Sequence, residues 1–385
     1  MGWSEFRKTG LTHHQPAASV KGYTLVTPMY TGDTYLLDMD GRIVHQWHLT
    51  SHLRSFYGRL LPSGNLLIMG ADASVTPPAV PEGTVPPFDA SIRRIGGNAT
   101  HLREVDWDGN IVWEYANPAI HHDFVRLENG NTLMNEFVEI PGEVAKAVRG
   151  GYRERNMPPM ISDDFVEVDP KGKEVRRIHL WELLDPRRDA MCALERRLEW
   201  THTNSLDVFP NGDILFSCRH NSTIGIIDTK GKLTWKLGWP AFAHQHHASV
   251  LANGHVQVFD NGMHRRGAPR SAVLEIDPKD NSVVWQYMAN PEVAFLSANI
   301  SSAERQPGGN VLICEGATGR VFEVTPKGET VWEWITPFQH RMPTGNLSPA
   351  IFRAHRYSAH NPALAGRELD PANHAATNRM YGLAD

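Results

Sequence analysis

The chain is poor in cysteine. Among 385 residues only Cys192, Cys218 and Cys314 occur, with no CxxC pair. An odd, sparse set builds no disulfide framework and suits a reducing compartment. Long hydrophobic runs are missing as well. No apolar stretch reaches the roughly 18 residues that a membrane-spanning helix needs. No positively charged start leads into an apolar run, so a secretory leader is not expected. Basic excess is also absent. Lys and Arg number 38 against 43 Asp and Glu, a formal net charge of −5, which argues against nucleic acid or an anionic membrane as partner. The expectation from these absences is a cytoplasmic protein that handles a small molecule.

What the chain does have is a phrase that returns six times. It reads DMDGRIVHQW at 38–47, DWDGNIVWEY at 106–115, DPKGKEVRRI at 169–178, DTKGKLTWKL at 228–237, DPKDNSVVWQY at 277–287 and TPKGETVWEW at 325–334. Apolar and β-branched runs flank a polar turn holding Gly or Asn, which is the signal of a β-hairpin. Four residues after that Gly or Asn stand Trp113, Trp235, Trp285 and Trp332; His45 and Arg176 replace Trp in the other two copies. The expected role of these Trp is packing between neighbouring sheets.

A second strand–turn–strand phrase precedes most hairpins, at 56–69, 121–136, 202–217, 246–260 and 301–315. The two phrases together give four strands per repeat. The marker residues Gly41, Gly109, Gly172, Gly231, Asn281 and Gly328 lie 68, 63, 59, 50 and 47 residues apart. Such spacing predicts an all-β, six-bladed propeller of four-stranded blades. The first copy lacks its leading strand. The segment 350–363 resembles one, and its pairing with the first blade would close the ring and remove an exposed edge. The expected organisation is an N-terminal extension at 1–20, one propeller domain at 21–365 and a tail at 366–385. Insertions at 73–98 (rich in proline), 138–162 (with one short helix) and 179–200 (read as helical, broken at Pro186) interrupt it. Long loops in a tight repeat commonly build a lid or a substrate wall.

Histidine is unevenly spread. The chain has 20, and His121, His122, His202, His244, His246 and His247 fall at or just before the leading strands of three consecutive blades. In a propeller those strands line the central channel, so the repeat gathers these imidazoles at one mouth. Arg219 follows on the second strand of the fourth blade, where a cation needs an anion or a carboxylate. Neutral imidazole is a competent nucleophile near pH 7. Asp123 and Asn204 are placed to orient imidazoles, and Tyr57 to meet an aromatic ligand.

HHDF at 121–124, THTNS at 201–205, SCRHNSTIGIID at 217–228, HQHHASVLANG at 244–254 and FDNG at 259–262 resemble motifs of the arylsulfotransferase family of six-bladed propellers. The resemblance spans about 20–360. It implies a ping-pong reaction in which a histidine takes the sulfuryl group from an aryl sulfate and passes it to a phenol. It assigns the nucleophile to His246, the supporting histidines to His122 and His202, and sulfate binding to Arg219. His121, Asn221 and Asn261 become neighbours of the substrate, as do the extra His247 and Tyr57. No cofactor is implied, and the partner is a small aromatic molecule. Two alternatives remain. A cluster of imidazoles can hold one divalent metal, for which His122, His202 and His246 are the candidate ligands of a lyase, hydrolase or oxygenase. A non-catalytic binding platform is the other.

Overall fold

The computed structural model describes residues 8–49, 53–72, 74, 80, 83–341 and 345–383. Residues 1–7 of the extension, 73, 75–79 and 81–82 of the first insertion, and 384–385 of the tail lie outside the described residues.

Each hairpin phrase folds for a local reason. In four copies the leading Asp accepts two backbone amides across its own turn. Asp38 Oδ1 takes the Asp40 and Arg42 amides, and Asp106, Asp169 and Asp228 repeat the pattern. The Gly that follows sits at positive φ, 78° at Gly41 and 84° at Gly231. Five of the hairpins then show a one-residue register shift at the turn, between Leu36 and Leu37 and between Ile226 and Ile227 for example. A turn closed by a left-handed residue and a bulge is a common hairpin geometry, and Gly takes that φ without strain. At Gly41 space adds a second demand, since a Cβ there would lie 2.6 Å from Trp334 Cδ1.

Six antiparallel blades result, and the fold is an all-β, six-bladed propeller. Blade 1 joins Ile351–Tyr357 to Tyr23–Pro28, Asp33–Leu37 and Ile43–His48. Tyr23 faces Tyr357, so the late segment supplies the missing leading strand as the sequence led us to expect. Blade 2 begins at Leu53–Leu60, blade 3 at Ile120–Arg126, blade 4 at Thr203–Val208, blade 5 at His246–Val250 and blade 6 at Ser302–Arg305. Blade 6 carries a fifth strand, Gly10–His14, paired to Thr330–Ile335. Part of the extension is therefore sheet.

The chain divides into two compact units. One comprises 1–70, 103–113 and 300–385 and holds blades 6 and 1 and most of blade 2. The other comprises 71–102 and 114–299 and holds blades 3 to 5 with the blade 2 insertion. In both, apolar clusters fill the gaps between successive blades. Leu25, Leu36, Trp47, Leu66 and Ile68 join blades 1 and 2; Phe165, Trp200 and Phe216 lie between blades 3 and 4. Each such side chain, fully buried, contributes about 1.5–3 kcal/mol.

The Trp position of the repeat has a polar job beside packing. Trp332 Nε1 donates to the Met39 carbonyl of the next blade at 2.9 Å, and Trp235 Nε1 to Asn281 Oδ1 at 2.9 Å. The two replacements do the same: His45 Nε2 meets the Trp107 carbonyl at 3.1 Å, and Arg176 reaches the Asp228 carbonyl at 3.4 Å. The position requires a long side chain bearing an N–H, and three residue types meet that need.

The insertions are less regular than their sequences suggest. The 138–162 segment holds the short helix Gly142–Ala147. In 179–200 only Leu180–Leu183 is helical, and turns follow. Asp185 stops the helix: its carboxylate accepts the amides of Arg187 and Arg188, a local alternative to helical hydrogen bonds.

Candidate active site

The site is built in the second unit. Its histidines stand where the chain enters the leading strands, and the backbone there is left-handed: φ is 56° at His122, 55° at His202, 54° at His244 and 47° at His247. The leading strands also break register at these points, between Thr203 and Ser205 and between His246 and Ser249. The kinks bring side chains of successive blades together. The rings of His122 and His202 lie 4.5 Å apart, and His202 stacks on His220 at 4.4 Å. The blade 2 insertion leaves room for this: a Cβ on Gly97 would fall 2.3 Å from His122 Nε2.

Each imidazole has a defined support. His246 Nδ1 is 2.7 Å from Asn261 Oδ1, while Asn261 Nδ2 donates to the Ser297 carbonyl at 2.8 Å. The second bond fixes which way the Asn261 amide points, so its oxygen faces His246. His246 therefore carries its proton on Nδ1 and its lone pair on Nε2. His121 sits behind His122, with their Nδ1 atoms 2.9 Å apart, and its Nε2 lies 3.3 Å from Asp163 Oδ1. Burial opposes ionisation of Asp163. The close His121 ring and hydrogen bonds from Thr201 and Thr203 outweigh it and hold the carboxyl below its usual range.

Two carboxylates complete the site, and neither was anticipated from the sequence. Glu199 Oε2 lies 2.7 Å from His202 Nδ1. Burial, then repulsion from Asp163, pushes the Glu199 carboxyl well up; burial, then His220 and His122, pushes His202 well down. Both shifts favour the uncharged forms of the pair. Glu199 Oε1 is buried with no hydrogen-bond partner among the described residues. Glu195 holds Arg219 at 2.8 Å and lies 3.5 Å from His220 Nε2 and 3.3 Å from His244 Nδ1. Burial, then the Arg219 charge, lowers His220 to about 4 and His244 to about 2. These imidazoles are neutral at pH 7.

The structure gathers His121, His122, His202, Arg219, Asn221, His246, His247 and Asn261 in one unit. Tyr57 belongs to the other unit, where its hydroxyl meets His355 Nε2 at 3.2 Å. Arg219 meets the carboxylate its position demanded. Asp123 accepts the Phe124 and Leu206 amides, and Asn204 donates to the Gln245 carbonyl, bonds that tie neighbouring strands. Of the metal-compatible groups among the described residues, one contains His202, with Glu199 and His220 as its companions rather than His122 and His246. Glu195 and Glu199 lie in an insertion that shares no register with the repeat, so no sequence alignment of blades reaches them. His220 stood within the SCRHNS motif and was the one legible signal.

Blades 3 to 5 of this all-β propeller thus converge imidazoles with carboxylates close behind several of them. The arylsulfotransferase (ASST) family model matches residues 13–340, and the chain belongs to that family. No curated protein sequence matches the chain. Among solved structures it resembles a protein of unknown function from Bacteroides caccae, at 13% identity and TM-score 0.53, covering 87% of this chain and 98% of that one. Virginiamycin B lyase from Staphylococcus aureus aligns at 12% identity and TM-score 0.45, covering 87% and 88%. Among the described residues no helix is long and apolar enough to cross a membrane.

Proposed function

We propose that the chain transfers a sulfuryl group from an aryl sulfate to a phenol, with His246 as nucleophile. The observation that carries this is the chain His246–Asn261–Ser297, which sets the lone pair of His246 on Nε2. In the first half-reaction Nε2 attacks sulfur, and an N–S bond forms as the bond from sulfur to the aryl oxygen breaks. The departing phenolate takes a proton from His202, which Glu199 resupplies at Nδ1. In the second half-reaction a phenol oxygen attacks the sulfohistidine, its proton returns to the same pair, and the N–S bond breaks. Arg219, oriented by Glu195, stabilises charge on the sulfuryl oxygens, and His122 positions them. The mechanism uses no cofactor, and its substrate is a small aromatic molecule.

The test is turnover of p-nitrophenyl sulfate with a phenol acceptor. Quenching without acceptor should leave a sulfuryl-sized mass increment on the peptide bearing His246. Turnover without that adduct, or turnover retained in His246→Ala, would sink the proposal. A second reading, metal-assisted chemistry, is favoured by Glu199, His202 and His220, whose ligand atoms lie within 4.8 Å of one another. It predicts activity that falls with chelation and returns with a divalent ion, also in Cys192→Ser.

A further inference from the structure

A second constellation stands beside the proposed site and shares His244 and Glu195 with it. Cys192 Sγ lies 3.2 Å from His264 Nδ1, and His264 Nδ1 lies 3.1 Å from His244 Nε2. Three different segments supply these atoms. Cys192 comes from the third insertion, pinned to blade 4 by the hydrogen bond its backbone N–H donates to the His220 carbonyl at 2.7 Å. His244 precedes the leading strand of blade 5, and His264 follows that blade's second strand, at φ 60°. The rings of His244 and His264 meet edge to face at 4.3 Å.

We propose that Cys192, His244 and His264 bind one zinc ion, with a fourth position open to the adjoining cavity. One thiolate and two imidazoles are a borderline-soft set, suited to zinc in tetrahedral geometry, and three protein ligands with an open fourth place are the pattern of reactive rather than closed sites. Binding exchanges the thiol proton of Cys192 for a sulfur–metal bond, and the proton goes to solvent.

Three observations support the assignment. First, their donor atoms all lie within 4.8 Å of one another. Second, Glu195 Oε1 stands 3.3 Å from His244 Nδ1, an electrostatic contact on the far side of the ring. A carboxylate behind a histidine orients the ring and keeps the other nitrogen as the donor, as metal sites commonly require. Glu195 and a Cys192 thiolate also offset the nearby Arg219 charge. Third, the constellation borders a cavity of about 550 Å³, and Asn221 lines the same cavity. Asn221 is 8% exposed, and neither its Nδ2 nor its Oδ1 has a hydrogen-bond partner among the described residues. A buried amide left in that state calls for a polar ligand. Water or another oxygen ligand on the open zinc position would answer it.

The site shares Glu195 with the proposed transfer site, so the experiment reads metal directly rather than turnover. The full chain, stripped with a chelator, is titrated with Co²⁺ and then Zn²⁺. The expected result is one equivalent bound, with a thiolate-to-cobalt charge-transfer band that zinc abolishes. Cys192→Ser removes the band, His264→Asn weakens binding at least about 100-fold, and Glu195→Gln weakens it about 10- to 100-fold. Unchanged thermal unfolding of the metal-free variants shows that they fold. No charge-transfer band, a band that survives Cys192→Ser, or binding lost only with His202→Asn would each overturn the assignment. Loss of p-nitrophenyl sulfate turnover with metal binding intact would bear on the transferase reading alone.

Discussion

In blades 4 and 5 the chain enters the leading strand through His202 at φ 55° and His244 at φ 54°; in blade 6 the corresponding entrance holds Ile300 at φ 52° and Ser301 at φ 91°. The kink is the same and the side chain is not. A β-branched residue tolerates positive φ poorly, so blade 6 keeps the kink with no imidazole to present. The left-handed entry thus recurs in blades 3 to 6, and the imidazole does not recur in blade 6. The interiors differ in charge as well. In the first unit Arg356 and Glu323 form a fully buried ion pair at 2.7 Å, with Arg356 also bonded to Thr24 and the Val20 carbonyl. In the second unit burial disfavours charge on the Glu199–His202 pair, and one carboxyl oxygen has no partner among the described residues. The first pair ties blades 6 and 1 together, with Arg356 Nη2 left unpartnered among the described residues; the second stands among the imidazoles of blades 3 and 4.

Substitutions should separate the two regions. The largest effect is expected from His246→Ala, which should cost on the order of 10⁴–10⁶ in p-nitrophenyl sulfate turnover and leave the unfolding midpoint unchanged. The mirror case is Glu323→Gln. It strands a buried guanidinium and should cost about 3–5 kcal/mol of stability, read by urea unfolding, while the folded fraction keeps its kcat. If Glu323→Gln lowered kcat without lowering stability, the division of labour would fail. Arg219→Met should follow, with a loss of about 10²–10³ in kcat against a small change in KM for the acceptor.

A pH series sharpens the contrast. His220 titrates near 4 in the folded chain and near 6.5 when exposed. Between those values the unfolded state binds more protons, so the contribution of His220 to stability is full above about pH 6.5 and is lost as pH falls toward 4. His244 extends that loss toward pH 2. Unfolding midpoints measured from pH 7 to 4 should therefore drop, and His220→Gln should flatten the slope. An equal slope in wild type and variant would refute the assignment. The smallest effect is expected from Trp235→Phe, which removes one bond to Asn281 and should cost about 0.5–1.5 kcal/mol with turnover unaffected.

What could be read from the sequence was what the chain encodes locally or repeats. Asp38, Gly41 and their counterparts carry their turn chemistry within a few residues, so the blades were legible. The closing strand was legible because one copy lacked a part and another segment matched it. The fifth strand at Gly10–His14 was not, since its partners are about 320 residues away (Thr12 to Glu333, for example, at a separation of 321) and no phrase repeats there. The histidines were found through register with the blades. Their carboxylates were not, because Glu195 and Glu199 reach the site from an irregular insertion. Tyr57, on the leading strand of blade 2, packs in the first unit against His355, Phe352 and Arg353.

Blade 1 also has a history in time. Arg356 and Thr24 are bonded across 332 residues of chain. During synthesis, the strand Tyr23–Pro28 leaves the ribosome long before Ile351–Tyr357 exists. Until then blade 1 shows an open edge, the kind of surface that recruits foreign strands. A segment made late completes blade 1, and a pause in translation before residue 351 should be a moment of high aggregation.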